Sequence, residues 1–256
     1  MLECLNVVKE FRTGASRLRV LDGLTLRVNK GEFVSIIGPS GCGKSTLFQL
    51  IGGLLVPDAG GILLDGRSIA GRTGHISYMP QHNTLFPWRT VEENVILALE
   101  VAGEPRRQAL RIAREWLEML GLGRYAREYP HTLSGGMQQR VAFLRALISR
   151  QELMCLDEPF GALDAQTREI MQAELLRIWE EDRKTVFFVT HGIDEAIYLA
   201  DRIIVMSARP GRIKEIIRVD IPRPRTLEVK ETAEFGRLRR HLWELLHDEV
   251  AASAGW

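Results

Sequence analysis

The sequence predicts an α/β protein whose parallel sheet is covered on both faces and interrupted by an inserted block of helices. Three observations carry that reading. An apolar run, Phe33-Val34-Ser35-Ile36-Ile37, leads directly into a glycine-rich loop, and the pattern turns helical from Thr46 to Leu55. Three further apolar runs, Leu153–Leu156, Val186–Val189 and Ile203–Met206, alternate with helical segments, as strands buried on both faces do. From about Thr90 to Arg150 the apolar period is helical instead.

Taken in chain order, the opening stretch reads as β structure. Leu24-Thr25-Leu26-Arg27-Val28 alternates as a strand buried on one face, and Asn29-Lys30-Gly31-Glu32 turns the chain into the run at Phe33. Gly60-Gly61 and Asp65-Gly66 bracket a short strand, Ile62-Leu63-Leu64. In the helical block, Leu110, Ala113, Trp116, Leu117 and Leu120 form one stripe, which Gly121, Gly123 and Pro130 end. After Pro222 and Pro224, the residues Phe235, Leu238, Leu242, Leu245 and Leu246 recur at helical spacing. They predict a terminal amphipathic helix docked on the core, in preference to a dimer contact.

Composition sets outer limits. With 256 residues, 45% hydrophobic and 26% charged, the chain suits a soluble globular protein with a full core. A net charge of +1 lacks the concentrated basic surface of a dedicated nucleic-acid binder, so no nucleic-acid partner is expected. No window is long and apolar enough to span a membrane, and Met1-Leu2-Glu3-Cys4-Leu5 does not begin a signal peptide. Cys4, Cys42 and Cys155 are odd in number, scattered and without metal-site spacing, which fits a reducing cytoplasm.

The chemistry concentrates in two segments. Gly38-Pro39-Ser40-Gly41-Cys42-Gly43-Lys44-Ser45-Thr46 fits G-x-x-x-x-G-K-[ST] between strand and helix. The glycines let the backbone curl so that amide N–H groups face phosphate oxygens; Lys44 adds a point charge, and Ser45 offers its hydroxyl to Mg²⁺. Asp157 and Glu158 emerge at the C-terminal end of an apolar strand, where open α/β sheets bind ligands. Asp157 is expected to hold Mg²⁺ through water and Glu158 to polarise an attacking water. Ser134-Gly135-Gly136 opens a helix expected from Met137 to Ile148, either as a simple N-cap or as a second anion site. Cys42, two residues from Lys44 at a helix start, is expected to have a depressed thiol pKa; the alternative is that it only fills space.

In this order, with Leu133-Ser134-Gly135-Gly136-Met137-Gln138-Gln139 ahead of Asp157-Glu158 and followed by Thr190-His191, the chain resembles the ATP-binding cassette of ABC transporters along nearly its whole length. The resemblance implies a P-loop NTPase with a RecA-like core, an antiparallel β subdomain and an inserted helical subdomain. It implies domain limits of residues 1–225 for the cassette, with the helical insertion at about 90–150, and 226–256 for the terminal helix. ATP and Mg²⁺ are the implied cofactors. Leu133 to Gln138, and Ser134 and Gly136 above all, would close in trans over the γ-phosphate held by a second copy. Gln81 corresponds to the residue that senses Mg²⁺ and the attacking water, His191 to the switch histidine, and Asp164 to the loop coupling the two sites. Phe11 falls where the family stacks a ring on adenine, although core packing accounts for such a residue equally. Where the family usually has Asp after the switch histidine, this chain has Gly192. Gly is tolerated as an N-cap, and Asp194 and Glu195 favour the positive helix end, so little catalytic loss is expected.

One cassette without a membrane span resembles the separate ATPase subunit of bacterial importers. Such a subunit lies on the cytoplasmic face of the inner membrane as a dimer, homodimeric by preference, and serves a permease fed by a solute-binding protein. The permease contact is expected through Gln81–Val91, where Phe86, Pro87 and Trp88 either supply apolar surface or simply pack the helical insertion. Phe86–Val95, Asp157–Ala165, Ile193–Arg202, Arg209–Ile213 and Pro222–Arg225 look like the nitrate/sulfonate/taurine group of importers. A soluble ABC ATPase of DNA repair or translation is the alternative, but this chain has neither tandem cassettes nor a coiled-coil insertion. A P-loop kinase leaves Leu133–Gln139 and His191 unexplained.

Overall fold

A β-strand buried on both faces must be apolar throughout, and Phe33–Ile37 meets that condition with every residue buried. This strand is the third of ten in a computed structural model that describes residues 1–14, 16–82, 84–207 and 209–254. In chain order, β1 (Leu2–Thr13), β2 (Ser16–Val28) and β3 (Phe33–Ile37) precede α1 (Lys44–Ile51), β4 (Ala59–Leu64), β5 (Arg67–Ser68) and β6 (Ser77–Met79). Helices α2 (Val91–Val95), α3 (Leu97–Val101), α4 (Arg106–Met119) and α5 (Gly135–Leu147) lead to β7 (Leu153–Asp157). Then come α6 (Ala165–Asp182), β8 (Thr185–Val189), α7 (Ile193–Leu199), β9 (Arg202–Met206), β10 (Ile213–Arg218) and α8 (Ala233–Ala254). The chain divides into two units, Met1–His75 with Gln172–Trp256, and Ile76–Met171.

In the first unit, β3 pairs in parallel with β8 on one side and β9 on the other. That parallel pairing agrees with the sequence expectation, and β10 adds an edge strand that pairs antiparallel with β9. Exposure alternates along Ile213–Arg218, with Lys214, Ile216 and Arg218 exposed, so one face is wet, which an antiparallel edge strand tolerates. A second, antiparallel sheet runs β2-β1-β4-β5. There Leu24, Leu26 and Val28 are buried while Thr25 and Arg27 are exposed, as their alternation requires. Aromatic rings join the layers: Phe48 of α1 lies 4.9 Å from Phe187, and Trp179 meets Phe33 edge-on at 5.7 Å.

Helix α8 lies against α7 and β9. Phe235 and Leu242 are fully buried, and Leu238, Leu245 and Leu246 are half-buried. Gly255 and Trp256 of the terminal segment lie outside the described residues. Just before α8, the buried Arg225 guanidinium donates to the carbonyls of Ile197, Tyr198 and Ala200 and to those of Val219 and Ile221. A planar fork with five N–H donors suits such a cage, and the positive charge faces the carbonyl end of α7. Burial is the main cause pulling the Arg225 pKa down to about 10.

In the second unit β6 and β7 pair in parallel. Thr90 caps α2 by accepting the Glu93 N–H, while the Glu93 carboxylate accepts the Thr90 N–H. On α4 the buried positions are Ala109, Ala113 and Leu117. Ala113, Leu117 and Leu120 of the expected stripe are buried, while Leu110 and Trp116 are half-buried at its margin and Ala109 joins the inward row. Asn94, fully buried, accepts the Phe86 N–H at 2.7 Å and donates to the carbonyls of Phe86, Arg89 and Thr90. The turn so held stacks Phe86 on Trp88 at 5.1 Å and leaves Trp88 71% exposed. Asn83, also in the stretch expected to meet a permease, lies outside the described residues. Among the described residues no helix is long and apolar enough to cross a membrane.

Candidate active site

The expected phosphate loop closes β3 onto α1 within the first unit. Gly41 and Gly43 take φ of 76° and 103°, a region where a Cβ is strongly disfavoured. Because Gly43 can serve as a left-handed N-cap, α1 begins at Lys44, two residues before the expected Thr46. Gly38 and Pro39 are buried, Ser40 and Gly41 exposed, and Ser45 and Thr46 half-buried in the first turn of the helix. The Lys44 side chain curls back over the loop, and its ammonium donates to the carbonyls of Gly38 at 2.8 Å and Pro39 at 3.1 Å.

The loop is braced from behind by Arg209 and Gly211, which the sequence marks only through the importer resemblance. The Arg209 Nε donates to the Gly41 carbonyl at 3.3 Å. Gly211 donates its N–H to Val20 and accepts from Asp22, and its Cα faces the Cys42 carbonyl so closely that no Cβ fits between them. A glycine after proline signals a turn, but nothing in the sequence says that the turn rests on residue 42. Cys42 itself is 1% exposed, and burial pushes its thiol pKa up, outweighing the nearby Lys44 charge. The expectation of a depressed pKa is thereby corrected, because desolvation disfavours the thiolate.

His191 is exposed in the loop after β8. Around it the Thr190 hydroxyl accepts the Gly192 N–H at 2.9 Å and bonds the Glu195 carboxylate, whose other oxygen accepts from buried Gln172. Gly192 is the N-cap of α7, without a side-chain cap, and Asp194 and Glu195 occupy the first turn. Phe11 lies on β1 opposite Leu18, half-buried, with the Lys9 ammonium 5.6 Å from its ring centroid.

In the second unit Asp157 ends β7, and its side chain is 1% exposed. Glu158 follows with φ of 49°, a left-handed conformation unusual for a residue with a Cβ and common at functional turns. Its carboxylate accepts from the Gln81 amide at 3.1 Å, so two residues from distant parts of the sequence are brought together. That bond engages the Gln81 side-chain nitrogen. Burial first, then the Asp157 charge, raises the pKa of the adjacent Tyr78 phenol.

Ser134 caps α5 by accepting the Met137 N–H, so the helix begins at Gly135, earlier than the expected Met137. Leu133 is buried, and the Gln138 amide donates to the Leu133 and Pro130 carbonyls. Ser134 and Gly135 are exposed and Gly136 half-buried, which puts a helix N-terminus at the surface. Asp164 caps α6 through the Thr167 N–H at 2.9 Å, and that bond holds its carboxyl pKa below the ordinary range. Gln139, buried one turn into α5, was assigned no role from the sequence, yet it touches the Glu158 carbonyl.

Comparison with known proteins agrees with this geometry. The family model for ABC transporters matches residues 21–161. An uncharacterised ABC transporter ATP-binding protein of Methanocaldococcus jannaschii is 47% identical over 98% of this chain and 93% of its own length. The aliphatic sulfonates import ATP-binding protein of Bacillus cereus is 43% identical, with 91% of each chain covered. Among solved structures, the dimeric post-hydrolysis state of the ATP-binding cassette MJ0796, bound to ADP and Pi, superposes with a TM-score of 0.79. It is 34% identical and matched over 87% of this chain and 100% of that one. With its phosphate loop, strand-end carboxylates and capped signature helix on that fold, this chain is an ATPase belonging to the ABC transporter family.

Proposed function

We propose that the chain is the ATPase subunit of a bacterial-type importer carrying a small anion or sulfonate-like solute through a separate permease. The observation that carries the chemical part is Glu158, held at a positive φ beside Asp157 with its carboxylate bonded to Gln81. Glu158 acts as the base that orients and polarises the attacking water, and Gln81 fixes its carboxylate. Lys44 and the loop amides bind the β- and γ-phosphates, His191 contacts the γ-phosphate, and Phe11 stacks on the adenine.

Mg²⁺ suits the oxygen donors present: the Ser45 hydroxyl, the Gln81 side-chain carbonyl and, through water, the Asp157 carboxylate. Among the described residues no three His, Cys, Asp or Glu side chains cluster as a metal cage. A cation that keeps waters and shares phosphate oxygens needs no such cage. When bound it would neutralise phosphate charge, and Asp157 and Ser45 would orient it.

Ser134 and Gly136 complete the site of a second copy, Asp164 couples the two, and closure of the dimer drives the permease. The sulfonate cargo rests on the Bacillus cereus relative, and the rigid Phe86–Trp88 turn supports a permease contact. The subunit would then work at the cytoplasmic membrane face, supplied by a solute-binding protein outside.

Two measurements test the reading. Glu158→Gln should bind ATP, accumulate as a closed dimer and lose turnover by about a thousandfold; full activity would remove the base assignment. Co-expressed with the permease encoded nearest its gene, the protein should pellet with membranes and support uptake of an alkanesulfonate. A subunit that never associates with a permease would sink the importer reading.

A further inference from the structure

We propose that Gln139 is the positioning residue that holds Glu158 in its working conformation and ties it to the helix that begins at Ser134. The inference rests on Glu158 being the base, as proposed above.

A primary amide that is 3% exposed must satisfy both its ends. The Gln139 Nε2 donates to the Glu158 main-chain carbonyl at 3.1 Å, and its Oε1 accepts the Ala162 N–H at 2.8 Å. The Glu158 carbonyl receives a second bond, from the Gly161 N–H at 3.1 Å. Two donors on one carbonyl fix the orientation of the peptide that follows Glu158. Pro159 supplies no N–H to help from the other side. That restraint is needed because Glu158 sits at φ of 49°, where an L-residue stays only if its surroundings over-determine it. The fixed backbone in turn sends the carboxylate to Gln81.

The other end of the amide matters as much. Ala162 belongs to the loop that ends at Asp164, and a Cβ placed on Gly136 would come within 3.2 Å of Leu163 in that loop. Gln139 is three residues beyond Gly136 and four beyond Gly135, so it lies on the same face of α5 one turn down. One side chain therefore joins the exposed start of α5, the Glu158 backbone and the loop of Asp164. Any shift of α5 when its N-terminus meets an anion is transmitted to both.

The test uses the full-length protein and two variants. Gln139→Met keeps length and removes both bonds; kcat should fall by about tenfold or more while the KM for ATP stays within about twofold. Gln139→Glu loses the donor at high pH and regains it when the carboxyl protonates, since a neutral acid can donate to Glu158 and accept from Ala162. Its kcat relative to wild type should therefore climb about threefold or more from about pH 8 to about pH 6. If Gln139 only fills the core, protonation would change the folded fraction of Gln139→Glu but leave a flat ratio of kcat per folded active site. Wild-type kcat in Gln139→Met, a change in KM alone, or a pH-independent ratio in Gln139→Glu each overturns the proposal. Glu158→Gln separates the two levels: if it is inactive while Gln139→Met is normal, positioning alone fails, and if it is active the base assignment fails first.

Discussion

Gly211→Ala adds one methyl group at a place where the phosphate loop has no room. The new Cβ would overlap the Cys42 carbonyl oxygen and approach the Met206 Cε to 2.8 Å. The methionine end can swing aside, but the carbonyl is main chain, and the Cys42 N–H is engaged with Pro39. Gly211 cannot retreat easily either, because it donates to Val20 at 2.8 Å and accepts from Asp22 at 3.2 Å. Normal contact returns only if loop and turn part by about 1 Å. Overpacking of this kind costs about 1–3 kcal/mol, and straining two main-chain bonds adds about 1 kcal/mol more. If the loop yields, the amides that face the phosphates are displaced, and about 1 Å at such a site weakens function about a hundredfold. Urea unfolding and ATP titration of the same preparation measure both effects. Gly61→Ala is the control: it meets nothing within 4 Å, lacks a positive φ and should leave both quantities close to wild type. A Gly211→Ala protein with unchanged midpoint and ATP affinity would refute the claim that this turn braces the loop.

Two other perturbations follow from burial. Arg225→Met removes the guanidinium from five carbonyls and should cost about 4 kcal/mol in denaturant unfolding; Arg225→Lys should recover only part, since an ammonium cannot span the cage. Cys4 is fully buried, and burial pushes its thiol pKa from 9.0 to about 12. The folded state therefore keeps this proton longer than the unfolded chain, so stability is intact below pH 9.0 and is lost as pH rises towards about 12. Cys4→Ala should flatten that part of the stability–pH curve, and an unchanged alkaline slope would refute the assignment.

Local features were legible in the sequence wherever chemistry and period agreed. Phe33–Ile37 was placed at its observed limits because a run buried on both faces is apolar at every position. The glycine loop, Asp157-Glu158 and the capped start of α5 were found because their roles depend on residue type at fixed spacing. What stayed hidden depends on partners far along the chain. Gln139 is recognised only through a main-chain carbonyl 19 residues away, and a carbonyl leaves no trace in residue identity. Arg225 read as one arginine in a Pro-Arg-Pro-Arg stretch, although its carbonyl partners include one 28 residues earlier. For Cys42, closeness to Lys44 in sequence suggested a reactive thiolate, but burial is set by Gly38, Met206 and Gly211 packing around it. Strand β10 was missed because its charged residues dilute the apolar run that marks an interior strand.

Asn94 commits its whole hydrogen-bonding capacity to residues 86–90, so the backbone of that turn is shaped from within. Pro87 and Trp88 at its tip are exposed and contribute little to that shape. The arrangement works as an interchangeable bit in a fixed chuck: tip residues can be replaced without refolding the helices that hold them. Under the permease contact proposed above, partner choice would then diverge at the tip while the catalytic machinery stays constant, and tip swaps would re-pair one ATPase with another permease.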